Sequence, residues 1–318
     1  MPTTKILVTG VAGFIGSNLA QRLLEEGYTV VGMDNLSAGT KENVDPRVQL
    51  HVRDIRDADL SGLFQGADTV FHLAAKNCLY DCLQNPLETS DINVKGTVNI
   101  LEHARKVGVR KFIYADTSAE YEGIQEFPCR VDRIAPVGPY AVSKRGGALF
   151  CESFRQMFGM NITLLRYFNV YGPAQDWRRI IPPVMSAFII KLLQGQPPVI
   201  YGTGEKRRDF IYVDDVNDFH LLAMRNDQTN GQTYNVGSGV NHSIKEIYEL
   251  IEKRLHTGVP PLFKEDLPGE AQVTLADISR EKALGWKPKT TIEQGLDKSI
   301  AYIQQRVLSD PALSKKPQ

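Results

Sequence analysis

Two side chains at helical spacing could form an acid–base pair. They are Tyr140 and Lys144, in the segment GPYAVSKRGGALF. Residues four apart on a helix share a face, so the ammonium would stand beside the phenol. A phenol with an ordinary pKa of about 10 is a poor base at neutral pH, and lowering that pKa to about 7 takes about 4 kcal/mol. An adjacent ammonium and a second cation could supply this, although the spacing alone is common in helices.

A second group of reactive side chains follows the apolar run KFIY, in the stretch ADTSAEYEG. Its hydroxyls, on Thr117 and Ser118, are placed to touch a substrate alcohol if the run is a buried strand, because ligands bind at the ends of such strands. We expect the acids Glu120 and Glu122 to be solvated loop residues. Asp116 has no explanation from the sequence.

A glycine-rich turn lies near the N-terminus. The segment VTGVAGFIGSNL places Gly10, Gly13 and Gly16 between an apolar run and a helical pattern. Glycines there allow a tight turn and let a pyrophosphate approach the helix N-terminus. Asp34 ends the next apolar run and could accept both hydroxyls of an adenosine ribose, while it would repel a 2′-phosphate. The turn therefore predicts a dinucleotide site for NAD rather than NADP. Asp54 ends the third run and is a candidate for the adenine amine, or a simple turn residue.

The elements that must position these groups alternate between strand and helix. Continuous apolar runs of this kind suit parallel strands that are buried on both faces. Strand–helix alternation predicts a doubly wound α/β sheet, and right-handed crossovers place every carboxyl end of its strands on one rim. The predicted strands are 5–10, 29–35, 48–54, 68–75 and 111–117, and the predicted helices include 14–27, 92–108 and 140–158.

The second half of the chain is less regular and predicts a smaller lobe that closes over this rim. A capping box, Ser243 to Glu246, opens a helix at 243–255. Thr291 to Gln294 opens another helix, which should run to about Gln305. Proline and glycine predict loops at 172–183, 195–204 and 258–269. The last ten residues are expected to fray.

Composition excludes several classes of protein. The 318 residues carry 37 Lys and Arg against 37 Asp and Glu, so the basic excess of a nucleic-acid-binding protein is missing. No apolar run reaches bilayer length, and the N-terminus lacks the apolar region of a signal peptide. Four cysteines in a chain of this size do not form a disulfide framework. We expect a cytoplasmic protein with no membrane or nucleic-acid partner.

Motifs along most of the chain resemble one family. TGVAGFIG, HLAA, PYAVSK, RYFNVYGP and RRDFIYVDDV occur in this order, between about residue 4 and about residue 305. Together they resemble the extended short-chain dehydrogenase/reductase family, in particular its NAD-dependent nucleotide-sugar epimerases and dehydratases. The resemblance implies a Rossmann core of residues 1–168, to which 209–240 returns, and a C-terminal α/β substrate lobe of 169–208 and 241–318. It also implies a homodimer that pairs through the helices 92–108 and 140–158.

The resemblance assigns roles to single residues. Tyr140 is implied as the base, Lys144 as the residue that holds the nicotinamide ribose, and Thr117 as the hydroxyl that touches the reacting alcohol, with Ser118 as a helper. The residues implied to contact NAD are Gly10, Gly13, Phe14, Ile15, Gly16, Asp34, Asn35, Asp54, Ile55, Leu73, Ala74, Ala75, Tyr140, Lys144 and Tyr167.

On the substrate side, the resemblance makes Asn169 a donor to the diphosphate, Tyr201 a stacking partner for the nucleobase and Arg208 a phosphate clamp. Asn169 could instead be a turn residue, and Arg208 could form an ion pair with Asp209 or Asp214. Thr274 lies where relatives vary in size, and a small side chain leaves room for an N-acetyl group. Relatives present a second diphosphate-binding arginine where this chain has Leu267; Lys264, Arg178 or Arg179 could replace it, or the head group could differ.

One departure bears on the reaction. Ala119 stands where related dehydratases and decarboxylases carry an acid, and elimination needs an acid–base couple. The sequence therefore favours 4-epimerisation of a UDP-hexose or UDP-N-acetylhexosamine through a 4-keto sugar. A 4,6-dehydratase, a 3- or 5-epimerase, a dehydrogenase and a non-catalytic NAD-binding regulator remain alternatives.

Three further residues with reactive side chains lie close together in the loop AAKNCLYDC. Lys76, Cys78 and Cys82 fall near the expected nicotinamide position. Cys-x-x-x-Cys with no second ligand pair is a poor metal motif, so we expect bystander thiols and no metal. His72 ends an apolar run, and we expect it to pack or to position the following loop.

Overall fold

The computed structural model of the chain describes residues 4–176, 182–266 and 271–309. The strands are β1 Lys5–Thr9, β2 Thr29–Asp34, β3 Gln49–Val52, β4 Ala67–His72, β5 Lys111–Thr117, β6 Ile162–Tyr167, β7 Asn169–Tyr171, β8 Val199–Tyr201, β9 Arg207–Tyr212, β10 Thr233–Val236, β11 Asn241–Ser243 and β12 Leu262–Lys264. The α-helices are α1 Phe14–Glu25, α2 Ser61–Phe64, α3 Leu79–Gln84, α4 Pro86–Ser90, α5 Thr97–Val107, α6 Pro139–Phe158, α7 Val184–Leu193, α8 Val213–Arg225, α9 Ile244–Leu255, α10 Ser279–Ala283 and α11 Ile292–Ser309.

Seven parallel strands form the main sheet, in the order β10-β6-β5-β4-β1-β2-β3. The strand order reverses between β1 and β4, and ligands of such sheets bind at that crevice. The predicted fold class, a doubly wound Rossmann-like α/β sheet, is confirmed. The strand runs 5–10, 29–35, 68–75 and 111–117 are correct to within a few residues at each end.

Each face of this sheet carries a hydrophobic core. Because side chains alternate along a strand, Ile6 and Val8 face one side and Leu7 faces the other. Helices α1 and α8 pack on the first face, for example through Leu19 and Phe219, while α5 and α6 cover the second. This arrangement fixes the N-terminal ends of α1 and α6 beside the carboxyl ends of the strands.

The predicted helix at 92–108 starts with a π-helical turn at Asp91–Gly96, continues as α5 and ends at Gly108, whose φ is 69°. A left-handed glycine is a common helix terminator. The expectation that 48–54 is buried on both faces is wrong. β3 is the edge strand of the sheet, and Gln49, His51 and Val52 are exposed. An edge strand pairs with a neighbouring strand on one side only, so its other side contacts solvent.

The second half of the chain adds two small sheets, β11-β9-β7 and β12-β8, which pack with α7, α9 and α11 around a third core. The capping box is confirmed: Ser243 Oγ accepts from the Glu246 amide, and the Ser243 amide donates to Glu246, both at 3.0 Å. The helix that follows Thr291 extends to Ser309. The expected loops 195–204 and 258–269 are partly wrong, because they contain β8 and β12, which pair with each other.

The segment 209–240 contacts both parts of the molecule. β9 belongs to the three-stranded sheet, whereas α8 packs on α1 and β10 pairs with β6 in the main sheet. The division into a core of 1–168 with 209–240 and a lobe of 169–208 with 241–318 stays a prediction.

Candidate active site

The turn between β1 and α1 is shaped by its glycines. Gly10 has a φ of 72°, and a Cβ there would lie 2.8 Å from the Ala74 amide nitrogen. A Cβ on Gly16 would lie 2.1 Å from the Gly10 carbonyl oxygen. Gly13 is the N-cap of α1, and no side chain bonds to the first-turn amides. These amides, which include those of Phe14 and Ile15, can therefore donate to a pyrophosphate.

Asp34 is held rigidly at the end of β2. Its two carboxylate oxygens accept from the backbone amides of Ala12 at 2.9 Å and Leu36 at 2.8 Å. Each oxygen has lone pairs left to accept from a hydroxyl, and the carboxylate is largely buried. These residues fit the adenosine ribose of NAD, and a 2′-phosphate would meet a fixed negative charge.

The third strand end is already paired. Asp54 accepts two bonds from the Arg56 guanidinium, both at 2.8 Å, and a third from Asn35 Nδ2 at 2.8 Å. The Arg56 bonds hold the pKa of Asp54 well below its usual range. Asp54 therefore stays ionised, and an adenine amine would share an acceptor that Arg56 and Asn35 already use. Ile55, next to it, is buried and lies where Gly96 leaves space for it.

The loop after β4 is positioned by His72 and Thr9. Thr9 Oγ1 accepts from the amides of Leu73 and Ala74, both at 3.2 Å, and lies 2.8 Å from His72 Nδ1. The other ring nitrogen lies 3.0 Å from Thr97 Oγ1. Burial lowers the pKa of His72 to about 3, so the ring is neutral. This geometry agrees with the expected positioning role, and it brings Leu73, Ala74 and Ala75 to the glycine turn.

Helix α6 carries the tyrosine–lysine pair. Pro139 is its first residue, so Tyr140 lies in the first turn, at the same rim as the glycine loop. Lys144 is 2% exposed, and its ammonium lies 4.1 Å from the ring centroid of Tyr114. The Tyr114 hydroxyl donates to the Lys144 carbonyl at 3.1 Å. Burial lowers the pKa of Lys144 to about 8, although Asp116 opposes the shift.

Thr117 is the last residue of β5, as predicted. Its hydroxyl oxygen accepts from the Ala119 amide at 3.1 Å and caps the 3-10 helix Ser118–Tyr121. The hydroxyl hydrogen can still donate to a substrate oxygen. Glu122 accepts from the Gly138 amide at 2.9 Å, and so ties this stretch to the N-terminus of α6. Thr117 and Tyr140 are thus placed on adjoining elements of one rim, with Ser118 beside them.

The expectation that Glu120 is a solvated loop acid is wrong. Its side chain is fully buried, with Oε2 2.7 Å from Arg166 Nη2. Asp116 is also buried and accepts from Arg166 Nε at 3.1 Å. The pairing of β5 with β6 sets Asp116 directly opposite Arg166, which explains this acid. Burial and the Asp116 charge raise the pKa of Glu120 to about 8.

The predicted substrate residues lie on β7, β8 and β9 and in the segment that follows residue 271. Asn169 Nδ2 donates to the Asp209 carbonyl at 3.0 Å and approaches Thr274 Oγ1 at 3.4 Å. Tyr201 ends β8 and is half-buried. Arg208 donates to the carbonyl oxygens of Arg207 and Gln272. The Asp209 carboxylate accepts hydrogen bonds from the backbone amides of Ser238, Gly239 and Ala276, and so connects the segments that carry them.

Several expectations lie outside the described residues: Leu267, Arg178 and Arg179. Lys264 is exposed at the end of β12. Tyr167 ends β6, and its hydroxyl lies 2.6 Å from His220 Nε2.

The sequence did not indicate that Asn93 connects the loop after β4 to helix α6. Its amide bonds to Lys76 at both backbone atoms, and it donates to Ser143 Oγ at 2.9 Å, inside the Tyr140–Lys144 turn. Nothing in its local sequence pattern points to that role. Of the nearby thiols, Cys82 is buried and donates to the Lys76 carbonyl. Among the described residues, no three His, Cys, Asp or Glu side chains could together hold a metal.

Within the described part of the chain, no helix combines the length and apolarity needed to cross a bilayer.

Comparison with known proteins places these features in context. The sequence pattern of the NAD dependent epimerase/dehydratase family matches residues 6–237. A putative UDP-glucose 4-epimerase of Methanocaldococcus jannaschii is 34% identical, over 94% of this chain and 98% of that protein. A UDP-glucose 4-epimerase of Mycolicibacterium smegmatis is 33% identical, over 95% and 99%.

Solved structures agree with this similarity. A UDP-glucose 4-epimerase from Thermotoga maritima with UDP-glucose superposes with a TM-score of 0.92 at 33% identity, over 96% of this chain and all of that one. A UDP-N-acetylglucosamine 4-epimerase from Methanobrevibacter ruminantium gives 0.92 at 31%, over 96% and 100%. A UDP-glucuronic acid 4-epimerase from Bacillus cereus, in complex with UDP-glucuronic acid and NAD, gives 0.89 at 33%, over 95% and 100%.

Proposed function

The chain belongs to the NAD dependent epimerase/dehydratase family and is an NAD-dependent enzyme, and from this premise we propose that it is a nucleotide-sugar 4-epimerase. Its substrate is a UDP-hexose or a UDP-N-acetylhexosamine, and the reaction passes through a 4-keto sugar that is not released. The observation that carries the proposal is the position of Tyr140, in the first turn of α6 at the rim that also carries the glycine loop, and four residues before the buried Lys144.

The residues divide the work of the reaction. The glycine turn, Asp34 and Lys144 would hold NAD⁺, which when bound would supply the hydride acceptor and donor for C4 of the sugar. Tyr140, as phenolate, takes the proton from the C4 hydroxyl and later returns it. Lys144 stabilises the phenolate and holds the nicotinamide ribose, while Thr117 steadies the C4 oxygen. Asp34 and the amides of the glycine turn keep the cofactor in place between the two half-reactions.

The substrate lobe supplies the tether about which the keto sugar turns. Asn169 Nδ2 has two hydrogens. One can stay bonded to the Asp209 carbonyl, while the other, which now makes a 3.4 Å contact with Thr274 Oγ1, can donate to a phosphate oxygen instead. Arg208 grips the diphosphate, because a guanidinium can bind two phosphate oxygens, and Tyr201 stacks on the base. Thr274 is small enough to admit an N-acetyl group.

The carboxylates favour epimerisation over elimination. Ala119 replaces the acid that a dehydratase needs, and Glu120 is held in the protein interior beside Arg166. The test is product analysis by NMR after incubation with UDP-glucose, UDP-galactose and their N-acetyl forms in deuterated water. A 4-epimer with no carbon-bound deuterium is expected. Deuterium at C5, an elimination product, a net change in NADH, or no turnover of any sugar would each contradict the proposal.

We also propose that two copies pair through α5 and α6. Helix α6 exposes large apolar side chains, with Val142 52%, Leu149 50% and Met157 74% accessible, and such a surface is typical of an interface. Sedimentation should give about twice the chain mass of 35.5 kDa. A mass of one chain at micromolar concentration would contradict the pairing. The cytoplasmic location stays a prediction.

A further inference from the structure

The ammonium of Lys144 lies in a buried setting that contains two acids. Along β5, alternate side chains share a face, so Asp116 points to the same side of the sheet as Tyr114, whose ring lies under Lys144. The 3-10 helix that follows brings Glu120 to this side as well. All three charged side chains are almost fully shielded from solvent.

The two acids share one cation. Asp116 Oδ2 accepts a hydrogen bond from Arg166 Nε at 3.1 Å, and Arg166 Nη1 also donates to the Val131 carbonyl at 2.9 Å. Glu120 Oε2 forms an ion pair with Arg166 Nη2 at 2.7 Å, and no described protein group donates a well-aligned hydrogen bond to either Glu120 oxygen. The same is true of Asp116 Oδ1.

Hydrogen bonding shows which acid carries charge. Burying an ionised carboxylate without a donor costs far more free energy than burying the neutral acid. Burial raises the pKa of Asp116, but the charge of Arg166 and its hydrogen bond oppose this, so Asp116 is the ionised member of the pair. Burial and the Asp116 charge raise the pKa of Glu120 to about 8, so Glu120 holds the proton at neutral pH. The ionised Asp116 offsets the charge of Arg166, and its own negative charge favours the ammonium form of Lys144.

We propose that Asp116 is a positioning residue for catalysis: its charge keeps the buried ammonium of Lys144 protonated, while Glu120 carries the proton of the acid pair. The proposal rests on the proposed function only where it gives Lys144 a catalytic role.

Tyr140, on α6, is the group whose phenolate form Lys144 stabilises in the proposed reaction, and three other titratable groups around Lys144 are uncharged at neutral pH. His72, from β4, is neutral, because burial lowers its pKa to about 3. Burial also raises the pKa of Cys151, on α6, far above neutral, so it remains a thiol. Tyr114 is buried and its pKa is raised, so it remains a phenol. The cations on the neighbouring elements are Arg166 on β6, which pairs with Asp116, and Arg145 on α6, which forms an ion pair with Glu152.

The direct test is the titration of Lys144 in the NAD-loaded enzyme. Lysine labelled with ¹³C at Cε reports the ammonium by NMR, and Lys144→Met assigns the signal. Asp116→Asn removes the charge and keeps the shape, so the Lys144 midpoint should fall by about one pH unit. Asp215→Asn is the matched control, because Asp215 is a buried acid that bonds the amides of Lys289 and Thr290. It should leave the midpoint unchanged.

Kinetics give a second readout. The alkaline limb of kcat/KM should shift to lower pH in Asp116→Asn, because a lower Lys144 pKa means that the ammonium is lost earlier. From a midpoint of about 8, a fall of one unit lowers the protonated fraction at pH 8 from about half to about a tenth, a loss of about fivefold. Asp116→Ser provides a second neutral variant if Asp116→Asn does not fold, and Asp116→Glu should restore the profile.

Glu120→Gln separates the two acids. Since Glu120 already holds a proton, the Lys144 midpoint should move less than half as far as in Asp116→Asn. An unchanged midpoint in a folded neutral Asp116 variant overturns the proposal, and so does a larger shift in Glu120→Gln. Because the NMR titration needs no turnover, a failure of the proposed function would show as missing epimer, with the Lys144 shift still present.

Discussion

The proposed cofactor site and the proposed substrate site are built in different ways. On the cofactor side, Gly10 and Gly16 leave space that a Cβ would fill, and two backbone amides fix Asp34. On the substrate side, Asn169 and Thr274 contact each other and β9. The proposed cofactor site is therefore preformed, whereas the proposed substrate site would have to exchange protein contacts for substrate contacts. Tyr140 lies at the rim between them.

The largest effect should come from this rim. Tyr140→Phe removes the base and leaves the packing of α6 intact, so kcat should fall by about 10³-fold. NAD content and thermal stability should stay at the wild-type level. Tyr201→Phe, which keeps its ring in the other half of the molecule, is the control and should retain activity within about threefold. A fully active Tyr140→Phe would remove the chemical step from this tyrosine.

Asp34→Ala tests whether the cofactor half is preformed. Losing a charged acceptor for the ribose hydroxyls should weaken NAD binding by about thirtyfold, since bonds to charged groups contribute about 1.5–3 kcal/mol. Calorimetry on enzyme stripped of cofactor measures this change. Asp45→Ala, an acid that pairs with Arg47 in an exposed turn, should bind NAD normally. Equal affinity in both variants would show that the ribose does not meet Asp34.

Asn169→Ala tests the contrast from the substrate side. If the amide exchanges Thr274 for phosphate, KM for the UDP-sugar should rise about tenfold, with kcat changed less than about twofold. Asn161→Ala, which removes one exposed bond to the Arg110 carbonyl at the start of β6, should leave KM unchanged. A lower melting temperature with an unchanged KM would make Asn169 purely structural, and the lobe would then rely on Arg208.

The smallest effect concerns stability and pH. His72 has a pKa of about 3 in the folded protein and about 6.5 when unfolded. Because the unfolded chain takes up the proton first, stability should fall as the pH drops below about 6.5. Between pH 7.5 and 5.5 this residue should contribute a loss of about 1.4 kcal/mol.

Urea unfolding of His72→Gln at the two pH values measures that contribution. The difference between them should shrink by about 1.4 kcal/mol relative to wild type. His51→Gln, at an exposed position on β3, should not change it. An unaltered pH dependence in His72→Gln would mean that the histidine is charged in the folded protein, and the neutral Thr9–His72–Thr97 arrangement would be wrong.

The sequence predicted the fold of the N-terminal half well because its signals are local. Glycine spacing, apolar runs and the strand-end Asp34 all lie within a few residues of the structure they specify. The capping box at Ser243 is equally local. The order of strands in the sheet follows from general rules of α/β folds, and the resemblance to a family added roles for Tyr140 and Lys144.

Long-range partners were not visible in the sequence. Asp116 and Arg166 are 50 residues apart and meet only because β5 pairs with β6. The burial of Glu120 depends on the same contact, so a local pattern could only suggest a loop acid. β3 was expected to be buried because its composition does not show that it lies at an edge. β8 and β12 pair with each other although Val199 and Leu262 are 63 residues apart. The proline and glycine content of the two segments does not reveal this pairing.

The central claim is that hydride leaves C4 of the sugar and returns to the same carbon, with Tyr140 carrying the proton. UDP-glucose deuterated at C4 tests it most directly. The account predicts that both epimers keep the deuterium at C4, that turnover shows a primary isotope effect, and that Tyr140→Phe forms the C4 epimer about 10³-fold more slowly. Deuterium lost to solvent or found at another carbon, or a C4 epimer formed equally fast by Tyr140→Phe, would contradict it.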